Sequence, residues 1–482
     1  MESSNKFKKP IKSILLVSLS NFFKLLSGVL IGFLLPKIMD VTEYGFYKTF
    51  SLYATYVGLF TIGITDGIYL YFGGFNYNDI DKKSFRSITL LYFIIETFFS
   101  ICFLAVSFFF TGEYRFILIF LSIFLIGNNI SVYFQFISQI TGRFKELSFR
   151  ITIQSILNCG SVLILWILHK YTDVSVTFRI YTIIYCIINV VLSLWYIFTY
   201  RDITFGEHLS LKNETKAVWS LIKLGIPLLI ANLCSSLILT IDRQFVSIFF
   251  SIEEYAIYAF AYNMLSLITT TISAISIILY PFLKKQNLDS SRNMYSDLSA
   301  IIICVLFLSI IVYFPLCWFV SWFLPKYISS LPIFRVILPG LVISSTISMV
   351  FHNYYKIENK EKIYFMITIA ILIISIIANL IAYYLSKSTL IISVASIIVT
   401  MVWYIVSEVF FIKKYKIRWW KNISYIILMM VAFYSITLIS KWWLAMIIYL
   451  VCFLVISFIF YRNIIFNIIK KGRKTKWKKQ YL

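Results

Sequence analysis

Six charged side chains lie inside long apolar runs of this sequence: Lys24, Asp66, Glu96, Asp242, Arg243 and Glu408. A charge in such a run is costly in hydrocarbon, so it faces a helix-bundle interior or a wet cavity. Lys24 falls on one helical face with Asn21, Ser27/Gly28 and Gly32. Arg243 falls on a face with Asn232, Ser236 and Thr240, and Asp242 beside it can neutralise it. Two polar stripes, each with one cation, suit an anionic group such as a diphosphate, because ammonium and guanidinium donors form charge-assisted hydrogen bonds to phosphate oxygens. The plainer alternative places Asp242 and Arg243 at the outer interface, where Arg snorkels to water. Asp66, Glu96 and Glu408 fit a packing role at least as well as a binding role. Uncharged stripes on one run (Asn128, Ser131, Gln135, Ser138) and another (Asn263, Ser266, Thr270, Ser273) suit helix–helix hydrogen bonding or a sugar-binding wall.

No residue set points to catalysis, a metal or a cofactor. The seven cysteines are scattered through apolar runs with no CxxC spacing, and His169, His208 and His352 are far apart. The polar cluster Asp202, Glu207, His208 and Glu214 reads as a solvated linker rather than an active site.

The elements that would position these groups follow from composition. The chain has 482 residues, 60% of them hydrophobic and 13% charged, and a mean hydropathy of +0.86. A water-soluble domain is roughly half apolar and about a quarter charged, so this chain belongs in a bilayer. Its net charge of +23 does not indicate nucleic-acid binding, because the bases sit in short clusters between apolar runs. A helix needs about 20 apolar residues to cross the hydrocarbon. On that length the sequence predicts an all-α, polytopic protein of about 14 spans, at 13–35, 45–72, 87–110, 115–138, 147–168, 176–199, 219–249, 255–283, 298–323, 333–355, 363–385, 389–412, 422–440 and 442–461. The first apolar run continues without a cleavage site, so it is expected to be a span and not a signal peptide.

Lysines and arginines crowd alternate connections: Lys6, Lys8, Lys9 and Lys12, then Lys82, Lys83 and Arg86, then Arg143, Lys145 and Arg150, and so on to the polybasic tail at 470–479. The alternation never breaks, which puts both termini in the cytoplasm. Trp419–Trp420 and Trp442–Trp443 mark headgroup levels, and the tail is expected to touch anionic lipid.

The segment TEYGFY at 42–47 aligns with EEYAIY at 253–258: Glu43 with Glu254, Tyr44 with Tyr255, Tyr47 with Tyr258. The same offset carries Asn21 onto Asn232. An even number of spans separates the two hairpins, so the halves run in the same orientation, as in transporters with parallel repeats. The expected organisation is a basic N-terminus (1–12), an N-lobe (13–200), a cytoplasmic linker (201–218), a C-lobe (219–412), an extra helix pair (413–461) and a basic tail (462–482), with a site between the lobes. Pro227 and Pro339 can kink their helices.

LIKLGIPLLIANLCSSLILTIDRQFVSIFFSIEEYAIYAFAYNML, from Leu221, resembles the seventh and eighth spans of polysaccharide-export flippases. LLPKIMDVTEYGFYKTFSLY looks like their first hairpin and WFLPKYISSLPIFRVILP like their ninth-to-tenth junction. These are Wzx-type O-antigen and capsule repeat-unit flippases of the multidrug/oligosaccharidyl-lipid/polysaccharide (MOP) superfamily. The chain departs from the pattern at Ala256, where the second hairpin usually has glycine. The resemblance implies a MATE-like fold of two six-helix lobes in the bacterial cytoplasmic membrane. It also implies transport by alternating access of an undecaprenyl-diphosphate-linked oligosaccharide, in contact with membrane lipid, a polysaccharide polymerase and chain-length machinery, and no enzymatic activity. Lys24 and Arg243 are the positions here that match a cationic cavity, with Asp242, Asn21, Asn232, Asp66 and Glu96 as further candidates. A MATE-type drug/cation antiporter is the runner-up; its acidic ion site in span 1 has no counterpart, since that run holds Lys24 and no Asp or Glu. A membrane-embedded polysaccharide enzyme would need catalytic acids or a histidine in a large outer loop, and a pure scaffold gives no reason for mid-span cations.

Overall fold

The computed structural model describes residues 2–172, 175–209, 211–284, 288–416 and 420–480, and among them the chain forms helices and no strand. Among the described residues, eleven helices are long and apolar enough to cross a membrane. The three remaining expected spans are also helical but escape that count for identifiable reasons. Residues 45–72 break into α2 (Val41–Ala54, following α1 at Glu2–Ile38), a short 3-10 turn and α3 (Ile64–Phe72); the span at 422–440 is the short apolar helix Lys421–Ile436; and the span at 255–283 runs through side chains outside the described set. The chain is a multi-pass α-helical membrane protein. Large apolar side chains such as Phe98, Ile101 and Phe109 point outward, as lipid permits and water does not.

The helices fall into two compact units. The first holds α1, α2, α3, α4 (Lys82–Ser107), α5 (Gly112–Ile140), α6 (Phe144–Thr172), α7 (Phe178–Thr199), α8 (Leu211–Ile238) and the start of α10. Here α1 packs on α6, α5 lies between α4 and α7, and α3 crosses α8. The second unit holds most of α9 (Ile241–Phe249), the rest of α10 (Ile252–Lys284), and α11 (Leu288–Ser309), α12 (Tyr313–Phe323), α13 (Ser330–Thr346), α14 (His352–Ile357), α15 (Glu361–Ser386), α16 (Thr389–Tyr415), α17 (Trp420–Ile436) and α18 (Trp442–Gln480). Trp318 stacks on Trp322 and on Trp442 at one end of this unit, as an interfacial aromatic belt requires. Trp419 and Lys285 lie outside the described residues, as do the side chains of Thr270, Ser273 and the tail at 470–479.

The break in the second expected span has a local cause. Ile62 (φ 50°) and Gly63 (φ 77°) both take the left-handed conformation, which ends the 3-10 turn and restarts the helix. The reset places Gly63 and Gly67 against α8. A Cβ on Gly67 would meet the Leu221 carbonyl oxygen at 2.1 Å, and one on Gly225 would meet the Gly63 oxygen at 1.9 Å. The two backbones touch, and only glycine fits there.

Two contacts inside the first unit join residues separated by the offset of the expected repeat. The Thr42 hydroxyl donates to Glu253 Oε1 at 2.8 Å, and these residues are 211 positions apart, the repeat offset itself. Gly45 meets Ala256, again its repeat equivalent, at 3.3 Å from an added Cβ. Their neighbours have diverged: Glu43 accepts from the Phe178 amide at 2.7 Å, whereas Glu254 and Ser251 form a reciprocal cap on α10.

At the loop end, charged clasps join the helices. The stretch after α7 is exposed over 205–209 but is tied to α4 by its acidic side chains. Asp202 accepts from the Tyr77 hydroxyl (2.7 Å) and pairs with Lys82 (2.9 Å), Glu207 pairs with Lys83 (2.8 Å), and Glu214 is buried and accepts from Ser84 (3.1 Å). These partners all lie in or just before the first turns of α4, a basic segment that attracts an acidic strand. In the second unit Glu358 accepts from Arg292 Nε (2.9 Å) and Nη2 (3.2 Å), from Tyr415 (2.8 Å) and from Lys414. Desolvation opposes its charge, but these donors prevail and hold its carboxyl near 2, well below the ordinary 4.5. A carboxyl depressed on folding contributes stability above its unfolded value and loses it as pH falls through the folded one. Glu358→Gln is therefore expected to cost about 2 kcal/mol at neutral pH, discounted because Arg292 is 40% exposed. The gap from wild type should shrink below pH 4.5 and close near pH 2. Thermal unfolding of the detergent-solubilised protein across that range measures it.

Candidate functional site

Asn21, Lys24 and Gly28 lie on the open face of α1: all three are exposed, and a Cβ on Gly28 would meet nothing within 4 Å. Ser20 and Ser27, only about 40–60° round the helix from Lys24, are buried, and α1 packs on α6. Lys24 sits about 12 Å into the apolar segment Leu16–Ile38. Among the described residues no carboxylate pairs with it. An ammonium at that depth cannot face hydrocarbon without a large penalty.

Asn232 and Ser236 form a second exposed stripe on α8. The helix then breaks at Leu239–Thr240, and Thr240 is buried. Asp242 and Arg243 open α9, a short helix of their own, and belong to the second unit, unlike Asn232. Asp242 is buried. It accepts from the Arg243 backbone amide at 2.7 Å and from the Tyr262 hydroxyl. The Arg243 guanidinium lies 4.6 Å from the centre of the Tyr262 ring, a cation–π arrangement. Tyr262 therefore orients both members of the pair. Only its place one and two turns below Tyr258 and Tyr255 on α10 could have pointed to it, and that is a weak signal in so tyrosine-rich a chain.

The three remaining acids lie elsewhere. Asp66 is buried in the first turn of α3, between the glycines that touch α8. Glu96 is fully buried between α4 and α5, with Oε2 accepting from Asn129 Nδ2 at 2.8 Å. Glu408 accepts from Tyr295 (2.6 Å) and Asn422 (3.1 Å), and Tyr461 in turn donates to Asn422 (2.8 Å). That network ties α17 and α18 to α11 and α16 and leaves Glu408 a packing role. In α5, Ser138 bonds Tyr200 at 2.7 Å and so ties α5 to the end of α7, whereas Ser131 bonds back to the Gly127 carbonyl of its own helix at 2.8 Å. Asn21 and Lys24 thus share an exposed side of α1, Asp242 and Arg243 are joined by a hydrogen bond, and Asp66 and Glu96 take separate interior positions.

No family model and no curated protein matches the sequence. Solved structures do. The lipid II flippase MurJ in an inward closed conformation superposes with a TM-score of 0.64 at 16% identity, over 94% of this chain and 100% of MurJ. A MOP-superfamily transporter from Pyrococcus furiosus, described as having a binding pocket of reversed polarity, gives 0.55 at 14% identity, over 84% and 96%. An outward-facing multidrug-resistance MATE transporter gives 0.54 at 16% identity, over 84% and 96%. The chain has the fold of MOP-superfamily transporters. The match to MurJ extends over nearly the whole chain, whereas the matches to the other two leave about a sixth of it uncovered.

Proposed function

We propose that this protein is a flippase that carries a polyprenyl-diphosphate-linked oligosaccharide, a repeat unit of a surface polysaccharide such as O-antigen, capsule or exopolysaccharide, from the cytoplasmic to the outer leaflet. The observation that carries the reading is Lys24: an exposed cation deep in α1, on an open polar face, with no acid in that span. A sugar diphosphate cannot cross about 30 Å of hydrocarbon unaided. A polar path with fixed cations removes that barrier while the polyprenyl tail stays in lipid. Arg243, oriented by Tyr262, is the second cation, and Asn21 and Asn232 are hydrogen-bonding neighbours for sugar or phosphate. The proposed setting is the bacterial cytoplasmic membrane with both termini inside, supported by the alternation of basic segments. The proposed lobes are 13–200 and 219–412, with 413–461 as an added pair. Alternating access would part the repeat-equivalent contacts Thr42–Glu253 and Gly45–Ala256 when the outer face opens. A polymerase and chain-length machinery are the expected downstream partners.

Deletion of the gene, followed by mass analysis of polyprenyl-diphosphate-linked sugars, tests the reading. Accumulation of a complete repeat unit with loss of surface polysaccharide is the expected result, and the mass identifies the cargo. Unchanged lipid-linked sugars with intact surface polysaccharide would overturn it in favour of drug efflux.

A further inference from the structure

Glu96 is the most deeply buried acid of the first unit: neither it nor its partner Asn129 has any exposed surface. Its Oε2 accepts from Asn129 Nδ2, while Oε1 is buried with no hydrogen-bond partner. The same Asn129 amide donates to the Val57 carbonyl at 2.9 Å. Val57 opens the 3-10 turn that breaks the second span. Thus one amide joins a buried carboxyl to the irregular backbone between α2 and α3. Non-helical backbone at membrane depth is tolerated only where protein or water satisfies it.

A bare carboxylate in this place would be an uncompensated charge. Among the described residues no lysine, arginine or histidine pairs with Glu96. The surrounding groups are neutral. On its own helix Tyr92 lies one turn back, adjacent to the carboxyl, and donates its hydroxyl proton to the Asn129 carbonyl at 3.0 Å. From α5, Tyr133 bonds Thr89 at 2.7 Å. The 3-10 turn Val57–Thr61 carries no titratable side chain. The charges on α8 and after α7 (Glu214, Arg201, Asp202) face the first turns of α4 around Lys82 and Ser84, about 18 Å along the helix from Glu96. Because Tyr92 has spent its proton on a carbonyl, its oxygen lone pairs remain available to accept. A proton on the Glu96 carboxyl would have an acceptor there. A metal ion would need several further oxygen ligands, and no group of three or more acid, histidine or cysteine side chains occurs among the described residues.

We infer that Glu96 is a proton-binding site, loaded in this conformation and discharged when the break in the second span rearranges. The neutral acid is stable in the dry α4–α5 interface. Movement of Val57 would withdraw the Asn129 amide, admit water and favour the carboxylate, so proton occupancy and the geometry of the break are linked. That linkage supplies a coupling device for transport; this part rests on the transporter reading, whereas the protonation itself does not.

Infrared spectroscopy of the purified protein in nanodiscs tests the site directly. At neutral pH a protonated-carboxyl C=O band is expected that disappears in Glu96→Gln and shifts in Tyr92→Phe, where the acceptor is gone. Coincident wild-type and Glu96→Gln spectra in that region would overturn the proton site, whatever the protein transports. Coupling is read in proteoliposomes holding undecaprenyl diphosphate with one fluorescent sugar as probe. A one-unit pH gradient should change the wild-type flipping rate by up to about tenfold, and the ratio with and without gradient should fall to one in Glu96→Gln. A wild-type ratio of one with active flipping would overturn the coupling and leave the flippase reading intact. The infrared band without flipping of any probe would support the proton site and count against the cargo.

Discussion

Leucine in place of Gly225 is expected to leave little folded protein. The α3–α8 crossing has no room for a side chain: a Cβ there would lie 1.9 Å from the Gly63 oxygen and 2.6 Å from the Gly67 amide nitrogen. Those atoms are backbone, so no rotamer change relieves the overlap, and α3 must move off α8. The buried residues Ile64, Ile68, Leu221 and Ile222 share one core at this crossing and would be pulled apart with it. Overpacking of a core that can shift costs about 1–3 kcal/mol; a crossing that cannot shift should cost at least the upper value. Gly67→Leu, with the Leu221 oxygen at 2.1 Å, should behave alike. Gly160→Ala is the control, because its Cβ meets nothing within 4 Å; alanine there should be neutral or stabilise by about 0.5–1 kcal/mol through lower backbone freedom. Fluorescence-detected size exclusion and thermal unfolding in detergent measure all three. A Gly225→Leu protein with wild-type yield and melting temperature would mean that the two backbones do not approach this closely.

This crossing also marks where sequence reading stops. Hydropathy sees 45–72 as one apolar run, because Ile62 and Gly63 interrupt hydrogen bonding without interrupting apolar character. The run at 219–249 hides its break in the same way: Leu239 and Thr240 look like any span interior. The hairpin repeat was legible because polar and aromatic residues recur at a fixed offset at interfaces. That Thr42 would meet Glu253 was not, since such a contact depends on tertiary packing that no single hairpin reveals. Among the acids, residue type signalled a special position but not its nature. Glu96 and Asp66 could be placed within spans, yet whether each faces a wet path or a dry interface depends on the neighbouring helix. Asn128 and Asn129 illustrate the limit: periodicity put Asn128 on a polar stripe, and it is Asn129, about 100° round the helix, that meets Glu96. The segment after α7 looked like solvated linker from its polarity alone, and its partners Lys82, Lys83 and Arg86 lie more than a hundred residues earlier.

On the proposed function, removing the two candidate cations, Lys24 and Arg243, is expected to abolish most export while sparing the fold. Lys24 makes no ion pair among the described residues and lies on an exposed face, so Lys24→Ala removes no packing and improves helix propensity. The loss should appear in transport alone. A charge-assisted contact to phosphate contributes about 1.5–3 kcal/mol, equivalent to a roughly 10- to 100-fold fall in flipping if it is made in the rate-limiting state. Lys24→Arg keeps the charge and should retain much of the activity; Lys24→Glu should lose more than alanine, because it repels the anion. Arg243→Ala is expected to show a similar loss with a small cost in stability, since it also gives up the contact with the Tyr262 ring. Complementation of a deletion strain, with membrane levels checked by immunoblot, is the measurement. The double variant is expected to lose at least as much export as the more damaging single substitution. Normal export in the double variant at wild-type membrane levels would remove the cation site altogether, and with it the main physical reason for assigning this chain an anionic cargo.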